Sequence, residues 1–428
     1  MTSIKKFKEL TFLVYGLGQT GKSVINFFNK NKIKNYQVWD DKNKNIFREK
    51  RPRNLSLALT NSDYIVLSPG VSLKKSKNKK KLINHKKKII TDIDLIFLLK
   101  KFHKSIVITG TNGKSTTCKI LAHVLKKNNY KVLIGGNIGK PVLDLKIKKN
   151  HFLIIEASSF QLSHSKFIQP DYAVLINISN DHLDWHGDIN HYINSKLKIF
   201  EHQNKNQFSI INNKLKPIFS KKNYLGKLII PSQKHFKKIR SKIKNPYLRL
   251  AINNENMSFI FTVSKLLKIR EKFILNSLNS FKGLPHRYEI FFKKKNFIFI
   301  NDSKATSFEA AKFALKSTKN IFWILGGFPK KNDKIKLKNL SKNIIKAFII
   351  GQSTNFFKSQ IQNKVNFKIT NNLKNSILQI FKENHLFKKE KNSILLSPAA
   401  ASFDQFLNFE KRGEEFKKLS KYYARKYL

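Results

Sequence analysis

The run Thr109-Gly110-Thr111-Asn112-Gly113-Lys114-Ser115-Thr116-Thr117 sets glycines, a lysine and a row of hydroxyls between an apolar stretch, 105–108, and a helix-forming segment, 118–127. In that order the residues read as strand, phosphate loop and helix. The glycines let backbone N–H groups turn toward an anion, and the helix N-terminus adds roughly half a positive charge. Lys114 can reach outer phosphates and Ser115 can ligate Mg2+. The chemistry is that of a nucleoside triphosphate site, with ATP the expected ligand. Two residues separate Gly110 from Gly113, where the common phosphate-loop pattern has four. A Gly-rich turn that merely closes a buried strand would leave the Gly-Lys-Ser-Thr run without a purpose.

Further groups with ligand chemistry follow apolar, strand-like runs. Residues 131–134 lead into Gly135-Gly136-Asn137-Ile138-Gly139, 152–155 end in Glu156, and 172–178 end in Asn180-Asp181-His182-Leu183-Asp184-Trp185-His186. A carboxylate at a strand end beside a phosphate loop suits Mg2+. His182 alone reads equally well as a capping histidine; next to Glu156 and the loop it becomes a ligand candidate. Lys196, in Asn194-Ser195-Lys196-Leu197-Lys198, reads by itself as a helix-surface lysine. Asn253 and Asn256 lie three apart on one face of the helical stretch 250–267.

Upstream, strand-like 10–15 runs into Gly16-Leu17-Gly18-Gln19-Thr20-Gly21, a helix over 22–30, and a strand, 36–39, that ends in Asp40 and Asp41. Gly-x-Gly-x-x-Gly with an acid about twenty residues on matches the dinucleotide fingerprint, and taken alone it points to a nicotinamide-dependent oxidoreductase. Physically it requires only a diphosphate at a helix N-terminus and a ribose or base near the acid. A strand at 64–67 runs into Ser68-Pro69-Gly70, a turn at the same sheet edge, and the Lys-rich stretch 74–88 reads as a solvated loop and helix face.

After Phe281-Lys282-Gly283-Leu284-Pro285-His286-Arg287 the strand–helix pattern restarts, and its Gly and Pro suggest a hinge near 284. Strands at 296–300, 321–325, 347–350 and 393–396 end respectively in Asn301-Asp302-Ser303-Lys304-Ala305-Thr306, in Gly326-Gly327 with Lys330 shortly after, in Gly351, and in Ser397-Pro398-Ala399-Ala400-Ala401-Ser402-Phe403-Asp404-Gln405. Such clusters at one strand end describe a doubly wound sheet. The expected fold class is α/β with three domains. Residues 1–92 form a Rossmann-like domain, 93–283 a phosphate-loop ATPase-like domain with a mostly parallel sheet, and 284–428 a second Rossmann-like domain. The strands between 204 and 240 cannot be placed from the pattern, which looks like peripheral sheet.

Composition bounds the function classes. At 428 residues the chain is long enough for several domains. No run approaches a membrane span, and the first ten residues lack a signal peptide's apolar region, so a cytoplasmic protein is expected. The lone Cys118 excludes an internal disulfide and suits a small packed side chain. The net charge of +59 arises from 85 Lys and Arg against 26 Asp and Glu, yet only nine of the cations are Arg, and Lys, Asn, Ile and Phe, which share AT-rich codons, are abundant together. The lysines are scattered over nearly every loop. A dedicated nucleic-acid binder, the reading that rests on charge alone, would concentrate them on one element near aromatic platforms.

Thr109 through Thr116 with the 283–287, 301–306 and 397–406 runs resemble the Mur ligases of peptidoglycan synthesis, and the likeness covers nearly the whole chain in order. The Asp-Ser-Lys-Ala-Thr run resembles those members that add D-glutamate; siblings adding other amino acids typically carry Tyr-Ala-His motifs there. Folylpolyglutamate synthases share the phosphate loop and lack the N-terminal diphosphate domain. The resemblance implies that ATP is held by Gly110, Thr111, Asn112, Gly113, Lys114, Ser115 and Thr116, with Asn256, Arg287 and Asp302. Two Mg2+ sites would use Ser115, Glu156, His182 and Lys196, the last carbamylated, so that Lys114, Glu156, His182 and Lys196 form the catalytic group. Gly18, Gln19, Thr20, Asp40, Ser68, Gly70 and Asn137 would hold the UDP-sugar, UDP-N-acetylmuramoyl-L-alanine, with Ser159 near substrate and metal. Lys304, Thr306, Lys330, Ser402 and Phe403 would orient D-glutamate. A monomer without a specific nucleic-acid partner is expected. The chain departs from the family's Gly-x-His-Asn pattern at Leu250-Ala251-Ile252-Asn253, and around Thr91-Asp92.

Overall fold

A computed structural model of the chain describes residues 4–428 apart from 44, 74, 100–101, 246–247, 250–252 and 331–332. The Leu250-Ala251-Ile252 departure therefore lies outside the described residues. The chain divides into two compact units, Met1–Phe281 and Lys282–Leu428.

The first unit holds two sheets. In the smaller, β1 (Phe12–Tyr15), β2 (Tyr36–Trp39), β3 (Tyr64–Leu67) and β4 (Ile89–Ile90) run in the order β2-β1-β3-β4, all parallel. The chain leaves β1 first to one side and then to the other. The Gly16 loop therefore sits at the switch point, where a parallel sheet opens a crevice.

The larger sheet comprises β5 (Lys104–Thr109), β6 (Val132–Gly136), β7 (Phe152–Glu156), β8 (Tyr172–Leu175), β9 (Phe208–Ile211) and β10 (Lys227–Ile229), in the order β10-β9-β8-β5-β7-β6. It too is wholly parallel. Its middle strands are buried along nearly their full length, as continuous Ile/Val/Leu runs covered on both faces should be. The segment unplaced from sequence supplies β9 and β10 at one edge. Here β5 is central: the phosphate loop that follows it lies between the ends of β7 and β8, with Ile108 in register with Glu156 and Thr109 with Leu175.

One apolar core runs through both sheets, from Phe12, Val14 and Phe28 to Val107, Leu153 and Ile155. The connection between the sheets is pinned by a buried carboxylate. Asp94 accepts from Thr91 N at 2.8 Å, Lys166 N at 2.9 Å and Phe167 N at 2.8 Å. Three main-chain donors from two segments thus share one acid.

The second unit is a six-stranded sheet in the order β11-β12-β16-β13-β14-β15, built from β11 (Glu289–Lys294), β12 (Phe297–Asn301), β13 (Ile321–Gly326), β14 (Ile344–Ile350), β15 (Phe367–Asn371) and β16 (Asn392–Leu396). Its first strand is β11, which pairs antiparallel with β12; the sequence reading began this unit one strand later. Charged residues on a half-exposed edge hide the strand period, and the hairpin turns at Lys295 with φ +48° rather than at a Gly. The edge strand β15 escapes for the same reason. Trp323, the largest fully buried side chain, anchors β13 by donating from Nε1 to Ser397 O at 2.8 Å.

Replacing Asp94 by Ala leaves one buried and two part-buried N–H groups without this acceptor and should cost the first unit about 3 kcal/mol. Denaturant unfolding followed on that unit would show a lower midpoint; an unchanged midpoint would mean that the clamp holds nothing.

Candidate active site

Gly113 caps the helix Lys114–Lys127 with φ +83°, and no side chain caps that helix start. A Cβ at Gly113 would lie 2.2 Å from Oδ1 of the buried Asn256, so close approach as well as conformation demands glycine. The loop is also held from β8. Thr111 N donates to Asn177 O at 2.9 Å, and Asn112 N to Asn177 Oδ1 at 2.9 Å. Those two amides are thereby committed to the protein, and the first-turn amides of the helix, at Ser115 and Thr116, are the ones placed to face an anion. Asn177 went unnoticed in the sequence because the apolar run extends through Ile178, whereas β8 stops at Leu175.

Two lysines meet on one oxygen. Lys114 Nζ and Lys196 Nζ each donate to Gly110 O at 2.8 Å, and Lys114 also donates to Thr111 O at 2.8 Å. Lys196 is 1% exposed and sits 4.6 Å over the Tyr192 ring. Burial drives its amine down to about 6, the positive charge of Lys114 adds to the shift, and Asp181 opposes it. At neutral pH Lys196 is therefore a free amine in direct reach of the phosphate loop. What reads in sequence as a surface lysine is one of the most deeply buried side chains of the unit.

Glu156, 2% exposed, accepts from Asn137 Nδ2 at 2.9 Å through Oε1, while Asn137 N binds Glu156 O at 2.8 Å. Its Oε2 is buried with no hydrogen-bond donor, the arrangement expected of an oxygen that awaits a cation. Ser159 Oγ lies 2.9 Å from Nε2 of the fully buried His186, whose Nδ1 meets His191 Nδ1 at 3.0 Å. Burial first, then the neighbouring imidazoles and Lys196, holds His186 down to about 4 and so neutral. His182 opens the short helix Leu183–His186 in the left-handed region, φ +54°, with its ring 4.7 Å from Phe160. Among the described residues no three His, Cys, Asp or Glu gather as a metal cage. A divalent cation at Glu156 would thus draw most of its shell from oxygens, a preference that suits Mg2+.

At the smaller sheet, Gln19 and Thr20 stand at the start of the helix Gln19–Lys30 with Gly18 as its cap. Ser68 Oγ donates to Gly16 O at 2.7 Å, while Gly70 is exposed two residues on. Asp40 is occupied by the main chain: Oδ2 accepts from Leu17 N at 2.7 Å, and Oδ1 from Lys42 N at 2.8 Å and Asn43 N at 2.9 Å. Partial burial pushes its carboxyl up, but these amides and Arg51 outweigh burial and leave it below its usual value. The acid thus braces the Gly-rich loop.

In the second unit the ends of β12, β13 and β16 carry the remaining candidates. Asp302 accepts from Ser397 Oγ at 2.7 Å and from Tyr288 N, next in the chain to Arg287, at 3.0 Å. Burial raises it to about 7 against the lowering effect of both hydrogen bonds and Arg287. Lys304 extends 4.6 Å over the Phe409 ring, and Thr306 is half-buried just before Ser307, which caps the helix Phe308–Ser317. Lys330 is exposed beyond the Phe328–Ala401 bridge, Ser402 is buried and Phe403 is 72% exposed. Sequence reasoning missed Arg412, which is 1% exposed and joins two of these loops, donating to Ser303 Oγ at 3.0 Å, Ser303 O at 2.8 Å and Ala400 O at 2.9 Å.

The profile of the Mur ligase middle domain matches residues 108–257, and that of the Mur ligase MurD-like N-terminal domain matches 10–91. A protein of Rickettsia prowazekii named UDP-N-acetylmuramoylalanine--D-glutamate ligase is 37% identical, over 97% of this chain and 98% of its own. The chain belongs to the Mur ligase family. An Aquifex aeolicus protein of the same name is 33% identical over 96% of this chain and 98% of its own. Among solved structures, UDP-N-acetylmuramate-alanine ligase from Thermotoga maritima superposes with a TM-score of 0.57 at 15% identity, over 97% of this chain and 100% of that one. The MurF ligase of the same organism, in complex with ADP, gives 0.55 at 15% identity over 99% and 100%. These likenesses establish the Mur ligase fold.

The Asp302 titration can be read in solution. Its folded value of about 7 lies above the unfolded 3.8, so the folded state holds the extra proton between those values, and this contribution to stability is full at the acid end and lost as pH rises toward 7. Asp302→Asn should narrow the difference in the second unit's thermal stability between about pH 5 and about pH 8. An unchanged difference would place the titration elsewhere.

Proposed function

We infer that this Mur ligase is an ATP-dependent, ADP-forming enzyme that joins D-glutamate to UDP-N-acetylmuramoyl-L-alanine in peptidoglycan precursor synthesis. The reading is carried by the end-to-end likeness to relatives named UDP-N-acetylmuramoylalanine--D-glutamate ligase, in a chain whose phosphate loop presents Lys114 and a helix N-terminus to an anion. Residues 1–92 bind the UDP-sugar through Gly18, Gln19, Thr20, Ser68 and Gly70, and Asp40 keeps their loop in shape. Residues 93–283 bind ATP. For residues 284–428 the family resemblance assigns Arg287 and Asp302 to nucleotide binding and Lys304, Thr306, Lys330, Ser402 and Phe403 to D-glutamate. The reaction belongs in the cytoplasm, where ATP is available, and the chain acts as a monomer.

The substrate carboxylate attacks the terminal phosphorus of ATP, breaking its bond to ADP. Lys114 and the helix amides offset the repulsion between the two anions. The amine of D-glutamate then attacks the acyl phosphate, inorganic phosphate departs, and the ammonium proton is released. Ser115, Glu156, His182 and a carbamate on Lys196 would hold Mg2+ at two sites, where it would supply charge neutralisation at the phosphates. The orphaned Glu156 Oε2 and the neutral Lys196 amine fit that assignment. The Lys196 lone pair adds to the carbon of CO2 and its proton leaves, turning an amine into an oxygen ligand. Asn137 fixes the rotamer of Glu156, and Ser159, first residue of the helix Ser159–His164, would lie near substrate and metal.

Phosphate release measured with ATP, Mg2+, bicarbonate and UDP-N-acetylmuramoyl-L-alanine should occur with D-glutamate and fail with L-glutamate, L-lysine or no amino acid. Folded protein that releases phosphate with no amino acid would refute the assignment. Separately, 13C-labelled bicarbonate should give a carbamate carbon signal that disappears in Lys196→Ala. The same signal persisting in that variant would put the modification on another amine.

A further inference from the structure

The nucleotide loop is braced from a direction that the reaction does not require. Asn177, which binds Thr111 and Asn112, is itself held by Glu255 in the first turn of the helix Asn254–Leu266. Glu255 Oε2 accepts from Asn177 Nδ2 at 2.6 Å, and its Oε1 accepts from Asn212 Nδ2 at 2.5 Å. Asn212 lies just beyond β9, and its Oδ1 accepts from Lys214 N at 2.9 Å. The chain of contacts therefore runs from the end of β9, the second strand from the sheet edge, through one carboxylate, to the phosphate loop.

The orientation of both amides is dictated by chemistry. The N–H of Asn112 and that of Lys214 can only donate, so Asn177 and Asn212 must each turn an oxygen toward them. Each then presents its NH2 group to position 255. Two facing NH2 groups need two acceptor oxygens on one side chain, which a carboxylate has and a carboxamide lacks. The next residue, Asn256, packs its Oδ1 against Gly113. One helical turn thus supports the loop at both Asn112 and Gly113. An acid in the first turn is also favoured by the helix dipole.

We propose that Glu255 is a positioning residue for the nucleotide: its two carboxyl oxygens lock the Asn177 and Asn212 amides so that Asn177 holds the Asn112 N–H and leaves the helix amides aimed at the phosphates. This rests on the reading of the loop as an ATP site. Glu255→Gln places an NH2 against one of two NH2 donors, so one of the two contacts becomes repulsive. Asn212→Asp places a carboxylate against a carboxylate. The double variant restores complementarity, because the new amide gives its oxygen to Asn177 and its NH2 to the new carboxylate, which keeps its other oxygen for Lys214 N. Total charge is also unchanged in the double variant.

The test is calorimetric binding of ATP with Mg2+ to the full-length protein and the three variants, with circular dichroism and thermal unfolding alongside. Glu255→Gln and Asn212→Asp should each weaken ATP binding roughly tenfold, the effect of losing a charge-assisted hydrogen bond, and the double variant should recover most of it. Generic loss of packing would make the double variant worse than either single one. Wild-type affinity in Glu255→Gln, or a double variant no better than the singles, would overturn the proposal. If Glu255→Gln fails to fold, a folded, ATP-binding double variant supports the proposal and an unfolded one overturns it. Wild-type protein that binds no ATP would instead overturn the nucleotide reading itself.

Discussion

Two amino groups share the carbonyl oxygen of Gly110. Burial first, and then the positive charge of Lys114 beside it, pushes the amine of Lys196, the more buried of the pair, down to about 6. The phosphate loop is consequently lined by one cation and one nucleophilic amine rather than by two cations. That asymmetry depends on β5 being the central strand of a parallel sheet. Only there do the loop after one strand, the carboxylate at the end of β7 and the asparagine beyond β8 come to the same edge.

Acids are scarce in this chain, 26 against 85 basic residues, and several of them act on the backbone. Asp40 gathers the amides of Leu17, Lys42 and Asn43, and Asp94 those of Thr91, Lys166 and Phe167. Asp171 takes the N–H and hydroxyl of Ser105 at the start of β5. Each sits where a loop, linker or strand start must hold one shape. An amide side chain offers one acceptor oxygen where a carboxylate offers two, so these positions cannot follow the drift toward Lys and Asn that governs the exposed surface. The positive field of that surface is spread over solvated lysines and is screened within ~8 Å at physiological salt.

In the second unit the same economy is inverted, with a cation as the buried hub. Arg412 comes from the helix Phe409–Tyr427, far along the chain from the loops it joins, and it satisfies carbonyls of both Ser303 and Ala400. A planar guanidinium can hold two loops in fixed relation where an ammonium would act as a point charge. The loops that carry Lys304 and Ser402 are thus tied together by a residue distant from both in sequence.

The sequence by itself determined the α/β class, the phosphate loop, the Gly-rich turn of the N-terminal sheet and the polar clusters at strand ends, because each is a local pattern of apolar runs broken by glycine and hydroxyl residues. It also marked the carboxylate Glu156, which directly ends an apolar strand. Burial, partner and protonation were decided only by the tertiary structure. Lys196 looks like any helix lysine until its helix packs under the loop, and nothing in the spacing of Asp40 shows that it gathers the amides of Leu17, Lys42 and Asn43. The edge strands β11 and β15, half exposed and interrupted by charge, carry no period to read. Asn177, Glu255 and Arg412 have roles set by neighbours distant in sequence, and contacts of that kind leave no trace in local spacing.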